Sequence, residues 1–276
     1  MTTVIYFVNQ AMEMVFSVLL WPFRMIAPVW GLAFVSVLAG VFMVWVFGRV
    51  SNQPGISRVR DRIRGNLLGV RLYQHDIPVV LRLQGRILRD TFTYMNHSLV
   101  PMLVLLIPML FVLVQLHYNF GSRPLLPGEV CLLKATFSDP SVLSQELRLE
   151  APDGIEVETP ALRIPVVAEA AWRIRVKAPG SHTVRLWVGD EFLEKQIRGG
   201  EDWGCVSPLR SARLADVLLY PGEEPLPASA AVSSLKLAYP PLPIRFLGWE
   251  VDWLGVFLVV SIVAAFALRG PLGVEL

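Results

Sequence analysis

Between residues 49 and 97 the chain carries nine arginines (Arg49, Arg58, Arg60, Arg62, Arg64, Arg71, Arg82, Arg86 and Arg89) against three aspartates. The chemistry open to such a run is electrostatic, because arginine is always charged and presents a planar fork of donors to carboxylates and phosphates. Few aromatic residues interleave with the charge, so a dedicated nucleic-acid site is not expected. A helix face solvated in water and a signal for membrane orientation both fit the run.

Other reactive residue types are dispersed. His75, His97, His117 and His182 lie in unrelated stretches. His97 and His117 would stand about 30 Å apart on a helix, too far to share a metal within one chain. Cys131 and Cys205 are too few and too widely spaced for a zinc site or a redox pair, though a single disulfide between them is open. The chain has no Gly-rich phosphate loop, no G-x-S-x-G and no HExxH. No enzyme chemistry and no cofactor are therefore expected. Within apolar stretches the main polar residues are Ser36, Gln115 and Ser261; such groups are the usual pointers to function in lipid, and each also suits a plain helix-to-helix hydrogen bond. Asn9, Glu13 and Ser17, at intervals of four, share one face of the apolar N-terminal run.

The elements that hold these residues are set by composition. Of 276 residues, 54% are hydrophobic and only 17% charged, a membrane-protein composition. A spanning helix needs about 20 apolar residues. Three stretches qualify: residues 28–48, 98–118 and 253–268, with Trp30, Trp45, Tyr118, Trp249 and Trp253 near their ends as an interfacial belt. Pro101 and Pro108 are tolerable in the second span because neighbouring helices satisfy the freed carbonyls. Residues 1–24 read as an amphipathic helix lying in the membrane interface. A fourth span is the competing reading, at a cost of roughly 2.5 to 3.5 kcal/mol for Glu13 in lipid. A secretory leader fits less well, since the run lacks a basic start and an A-x-A-like cleavage site.

Arginine bias in short loops is retained on the cytoplasmic side. Residues 49–97 are therefore expected in the cytoplasm and the N-terminus outside. Residues 119–251 hold 14 basic and 17 acidic groups, a long segment expected in the periplasm, and residues 269–276 form a cytoplasmic tail. The protein is expected in the inner membrane of a bacterium, spanning it several times. The cytoplasmic loop has helical periodicity: Ile56, Val59, Ile63, Leu67 and Val70 make one stripe, capped by Ser51 or Asn52 before Pro54. Asp76 caps a second helix with Pro78 in its first turn and Val80, Leu83 and Ile87 on its apolar side. A turn over 74–76 makes the two an antiparallel hairpin.

From residue 123 the period changes to two. Trp172, Ile174 and Val176 alternate with Arg173, Arg175 and Lys177, and Val184, Leu186 and Val188 with Arg185 and Trp187. Short strands spaced by turn signals predict an exported, all-β, immunoglobulin-like sandwich over 123–200. Residues 201–248 read as a connector, with room for one more strand or helix in SARLADVLLY.

An outer-face amphipathic helix, an N-out first span, a basic helical hairpin, a second span, an exported segment and a third span together resemble the core of the YidC-type membrane insertase superfamily, which includes three-span relatives. The likeness covers residues 4–120 and 249–270 and rests on topology and charge. It implies an insertase-like or chaperone-like helper that guides short hydrophilic tails across the bilayer through a polar groove. Ser36 and Gln115 would line that groove, and Arg58, Arg62, Arg82 and Arg86 would meet the client or the ribosome. Partners would then be the lipid bilayer and membrane-protein clients. Two departures stand out: no arginine lies in mid-membrane, and a β domain replaces a short connection. A structural or scaffolding subunit of a cell-envelope complex, docking through its exported β domain, is the alternative.

Overall fold

A computed structural model describes residues 2–51, 53–227 and 229–271. The expected cap at Asn52, the side chains of Ile56 and His97, and the tail from residue 272 onward lie outside the described residues. The chain forms two compact units, Met1–Leu32 with Phe111–Leu254, and Ala33–Leu110 with Gly255–Leu276.

Five long helices arise where the apolar periodicity runs unbroken: α1 (Thr2–Leu20), α2 (Pro28–Val50), α3 (Gln53–Leu72), α4 (Ile77–Phe120) and, after the β region, a last helix Trp253–Leu268. α1 ends at a short 3-10 turn over Trp21–Phe23, where Pro22 removes an amide donor. Proline opens α2, where its missing N–H costs nothing. α2 and α4 are long and apolar enough to cross a membrane. The last helix, 16 residues, is apolar throughout and about 24 Å long, shorter than the roughly 30 Å of a bilayer core.

The second arm of the hairpin and the second apolar stretch were expected as separate elements meeting near residue 98. They are one uninterrupted helix of 44 residues. The physical reason is local: from Arg86 to Val100 the chain has neither glycine nor proline to stop it. Pro101 and Pro108 then sit inside the helix without ending it.

In the unit built from Ala33–Leu110 and Gly255–Leu276, α2 turns Val35, Ser36, Ala39, Gly40 and Val44 inward, and the last helix turns Val256, Phe257, Ser261 and Ala264 inward. The two cross closely. A Cβ on Gly40 would stand 2.6 Å from the Ser261 carbonyl oxygen and 3.3 Å from the Ala264 Cβ. Their outward faces are also apolar, with Phe34, Val37, Leu38 and Phe42 on α2 and Val259, Ile262, Val263 and Phe266 on the last helix exposed. A helix hydrophobic all round belongs in lipid or in a core.

α3 and the start of α4 form the hairpin. The Asp76 carboxylate accepts from the Val79 N–H at 3.3 Å, which caps α4 as the sequence suggests. Val59 is buried, and Gly69 lies against Leu83, 3.0 Å from where its Cβ would be. Leu67, expected on the buried stripe, is 53% exposed. Asn66 lies on the inner side instead and reaches across to Asp90.

The other unit contains the β region. Its larger sheet runs β3 (Ile155–Val157), β5 (Glu169–Val176), β1 (Val130–Phe137), β9 (Val232–Leu237), β8 (Leu209–Ser211), with β4 (Leu162–Ile164) also paired to β5. A second sheet runs β2 (Leu147–Glu150), β6 (Gly180–Val188), β7 (Glu191–Gly199), and the strands named in both sheets pair with one another antiparallel. Alternate residues of both sheets fill one core: Leu133, Ala135, Trp172, Ile174 and Leu235 from the first, Val184, Leu186 and Ile197 from the second. A separate hairpin, β10 (Ile244–Phe246) with β11 (Trp249–Val251), precedes the last helix.

The β region does not end at residue 200. Segment 201–248, expected as a connector, supplies β8, the short helix α5 (Leu214–Leu219) and β9, which lies directly beside β1. The last helix is accordingly α6. Polar residues mask β9 in the sequence: VSSLKL buries Val232, Leu235 and Leu237 but carries two serines and a lysine between them.

Candidate functional site

The hairpin gathers part of the arginine run. Arg62 approaches Asp90 at 3.8 Å, and Asn66 Nδ2 donates to the Asp90 carboxylate at 3.4 Å. Arg62, Asn66, Arg86, Arg89 and Asp90 bound an open recess of about 640 Å³. Three guanidinium groups around one carboxylate leave it net positive. Arg58 and Arg82 are exposed on the same two helices without lining the recess. Leu68, Leu72, Ile77, Leu81 and Leu88 are exposed on the hairpin as well. The arm therefore offers both charge and apolar surface, a pairing suited to amphipathic chains with acidic groups.

In the other unit, Gln115 belongs to a buried polar cluster. α1 brings Asn9, 2% exposed, against α5, where its Nδ2 donates to the Val217 carbonyl at 2.9 Å. Gln115, 1% exposed, donates from Nε2 to the Asn9 carbonyl at 3.3 Å. Asn119 donates to the Gln115 carbonyl at 2.8 Å and accepts from the Cys205 thiol at 3.1 Å. Tyr118 donates to the Glu13 carboxylate at 3.3 Å. The amide oxygens of Asn9 and Gln115 are buried without a hydrogen-bond partner among the described residues. Each such acceptor costs about 1–3 kcal/mol against hydration. Burial raises the Glu13 pKa, with the Tyr118 hydrogen bond acting against it.

The i, i+4 spacing of Asn9 and Glu13 in the sequence was the signal for this cluster, and Gln115, Tyr118 and Asn119 repeat it on α4. Their orientation is the reverse of a helix with its polar side in water. Asn9 and Glu13 turn inward, and Phe7, Met14, Val15 and Val18 turn outward. Cys205 enters from a distant segment that carries no sequence signal. Trp203 holds that segment in place, stacking on Phe120 with ring centres 5.3 Å apart and donating to the Ile26 carbonyl at 3.1 Å.

Beside the cluster lies a cavity of about 760 Å³ whose lining includes Glu13, Arg24, Tyr118, Arg198, Glu201 and Asp202. Arg198 donates to the Cys205 carbonyl at 3.0 Å. Ser36, the second residue expected in a groove, is fully buried on α2 and belongs to the other unit.

His117 packs between Tyr220 and Trp253, at 6.0 and 5.8 Å between ring centres. Among the described residues no three His, Cys, Asp or Glu side chains assemble as a metal site. Cys131 and Cys205 are both free thiols. Burial lifts Cys131 to about 12 and Cys205 to about 11. Comparison of the chain with protein-family models, with curated proteins and with solved structures found no match.

Proposed function

We propose that the protein is an insertase-like or chaperone-like integral membrane protein of the bacterial inner membrane, similar in layout to the YidC-type superfamily. In this reading α2, residues 98–118 of α4 and α6 span the bilayer. The α3–α4 hairpin is cytoplasmic, α1 lies in the outer interface, and the β region is an exported immunoglobulin-like sandwich. The arginine excess of residues 49–97 supports the orientation. The outward apolar faces of α2, α4 and α6 support the lipid contact.

The observation that carries the functional reading is the surface of the hairpin, where Arg62, Arg86 and Arg89 rim a recess and Leu88 is exposed on the same helix as Arg86 and Arg89. Such an arm can hold an emerging apolar segment while its charges meet acidic groups or the ribosome. Changing Arg58, Arg62, Arg82 and Arg86 together to glutamate tests it, once a reporter near residue 75 has verified that the hairpin stays inside. Crosslinking to nascent membrane proteins and ribosomes should be lost. Undiminished crosslinking with intact topology would sink the reading.

A scaffolding role has one observation in its favour. Leu162, Ile164, Val166 and Val167, on and after the short strand β4, are all exposed. An apolar edge of this kind invites a partner. Recovery of a fixed set of envelope subunits with this chain, lost on Ile164→Lys with Val166→Asp while hairpin crosslinking is unaffected, would favour that role over the first.

A further inference from the structure

We infer that the cavity beneath α1 binds the headgroup of an aminophospholipid, a phosphate diester with a primary ammonium, while the acyl chains lie along the outer face of α1. The inference uses the membrane reading but not the insertase reading, and would survive the failure of the latter.

Three observations converge. The first is size: about 760 Å³ falls within the range of small-molecule sites. The second is the division of charge. Arg24 and Arg198 supply cations, and Glu201 and Asp202 supply anions. Glu13 is engaged by the Tyr118 hydroxyl, and burial raises its pKa. A lining that sets two guanidinium groups beside carboxylates matches a zwitterion better than a net anion. The Arg198 fork spends one donor on the Cys205 carbonyl, leaving others for phosphate oxygens.

The third is position. Glu13 belongs to α1 and Arg24 to the turn that follows it. The opposite side of the same segment exposes Phe7, Met14, Val15, Val18, Trp21 and Met25, the last at 98%. Polar cavity and apolar strip thus share one short stretch of chain. A ligand with a charged head and long tails satisfies both, whereas a water-soluble phosphoamine would leave the strip bare. Primary ammonium is favoured over quaternary because it brings N–H donors that Glu201 and Asp202 can accept, and a quaternary ammonium has none.

The test uses the full chain in nonionic detergent, titrated with phosphatidylethanolamine, phosphatidylcholine, phosphatidylglycerol and tail-less glycerophosphoethanolamine, with bound species counted by native mass spectrometry. Phosphatidylethanolamine should saturate at one per chain, and the other two lipids should bind about tenfold more weakly, the weight of one lost charged contact. Arg24→Gln and Asp202→Asn, both at exposed positions, should each weaken phosphatidylethanolamine by a similar factor at an unchanged unfolding temperature. Equal retention of all three lipids, or variants that bind like the parent, would overturn the inference. So would glycerophosphoethanolamine binding as tightly as the intact lipid, since the site would then serve a soluble ligand.

Discussion

Lys195 of β7 and Glu223 of the segment between α5 and β9 form an ion pair sealed from solvent, their side chains 1% and 5% exposed. The ammonium also donates to the Ser207 carbonyl at 2.6 Å, and the second carboxylate oxygen accepts from the Gln196 N–H at 3.1 Å. Burial presses the lysine pKa downward while the glutamate resists. The pair fastens the 200–227 segment to the smaller sheet.

Breaking one side of that pair leaves an uncompensated charge in the interior. Lys195→Met alone should cost about 3–5 kcal/mol. Lys195→Met with Glu223→Leu should recover most of the loss, because both charges are then gone. Unfolding of the two variants in detergent, followed by circular dichroism, checks the contrast. Equal losses would mean that the pair itself, and not the orphaned charge, sets the stability.

Glu13 makes stability depend on pH with a definite sign. Its native pKa is raised by burial above the ordinary 4.5. The folded state therefore binds the proton more tightly than the unfolded state. Stability should fall as pH rises from about 4.5 through the native pKa, and level off above it. Glu13→Gln should remove this slope and raise the unfolding temperature at neutral pH. Superimposable pH profiles for the parent and the variant would contradict the assignment.

Two glycines in helices should respond in opposite directions. Gly40→Leu would drive a side chain into the Ser261 carbonyl, so α2 and α6 must part, at about 1–3 kcal/mol. Gly65, inside α3, has nothing within 4 Å of its Cβ position. Gly65→Ala should stabilise the helix by about 0.5–1 kcal/mol. Thermal unfolding distinguishes them by sign alone.

Both thiols should be inert in the folded protein. With Cys131 near 12 and Cys205 near 11, almost no thiolate exists at pH 7.5. Maleimide should label neither until the chain is unfolded, and then both. Rapid labelling of Cys205 in the native state would show that its bond to Asn119 opens.

Much of the helical half was legible because hydropathy, proline and aspartate act locally. The start of α2 at Pro28 and the Asp76 cap both follow from residues within a few positions. The long run of α4 was not foreseen. Its two portions differ in character, charged and then apolar, whereas helix continuity depends on the absence of a stop signal. In the β region, β5 and β6 showed clear alternation. β9 did not, because its place beside β1 is fixed by a partner far away in sequence. Gln115 is a polar residue in an apolar stretch and Asn119 follows it by one helical turn, but Asn9 meets Gln115 only through the packing of α1, and Cys205 reaches Asn119 only through the loop around Trp203. Arg24 and Arg198 had no distinguishing spacing at all.

The strand that sits against the middle of the larger sheet, β9, is made after every other strand of that sheet. β1 pairs with β9 from Leu133 to Phe137, and the whole run from Ser138 to Ala231 separates them. During synthesis β1 has one flank covered once β5 has emerged, and its other flank stays bare until Leu237 has followed. Folding of this half must wait until the chain has been made through Leu237, and the open strand is vulnerable to mispairing in the interval. A chain cut short before Val232 should therefore yield an aggregate in place of a smaller folded module.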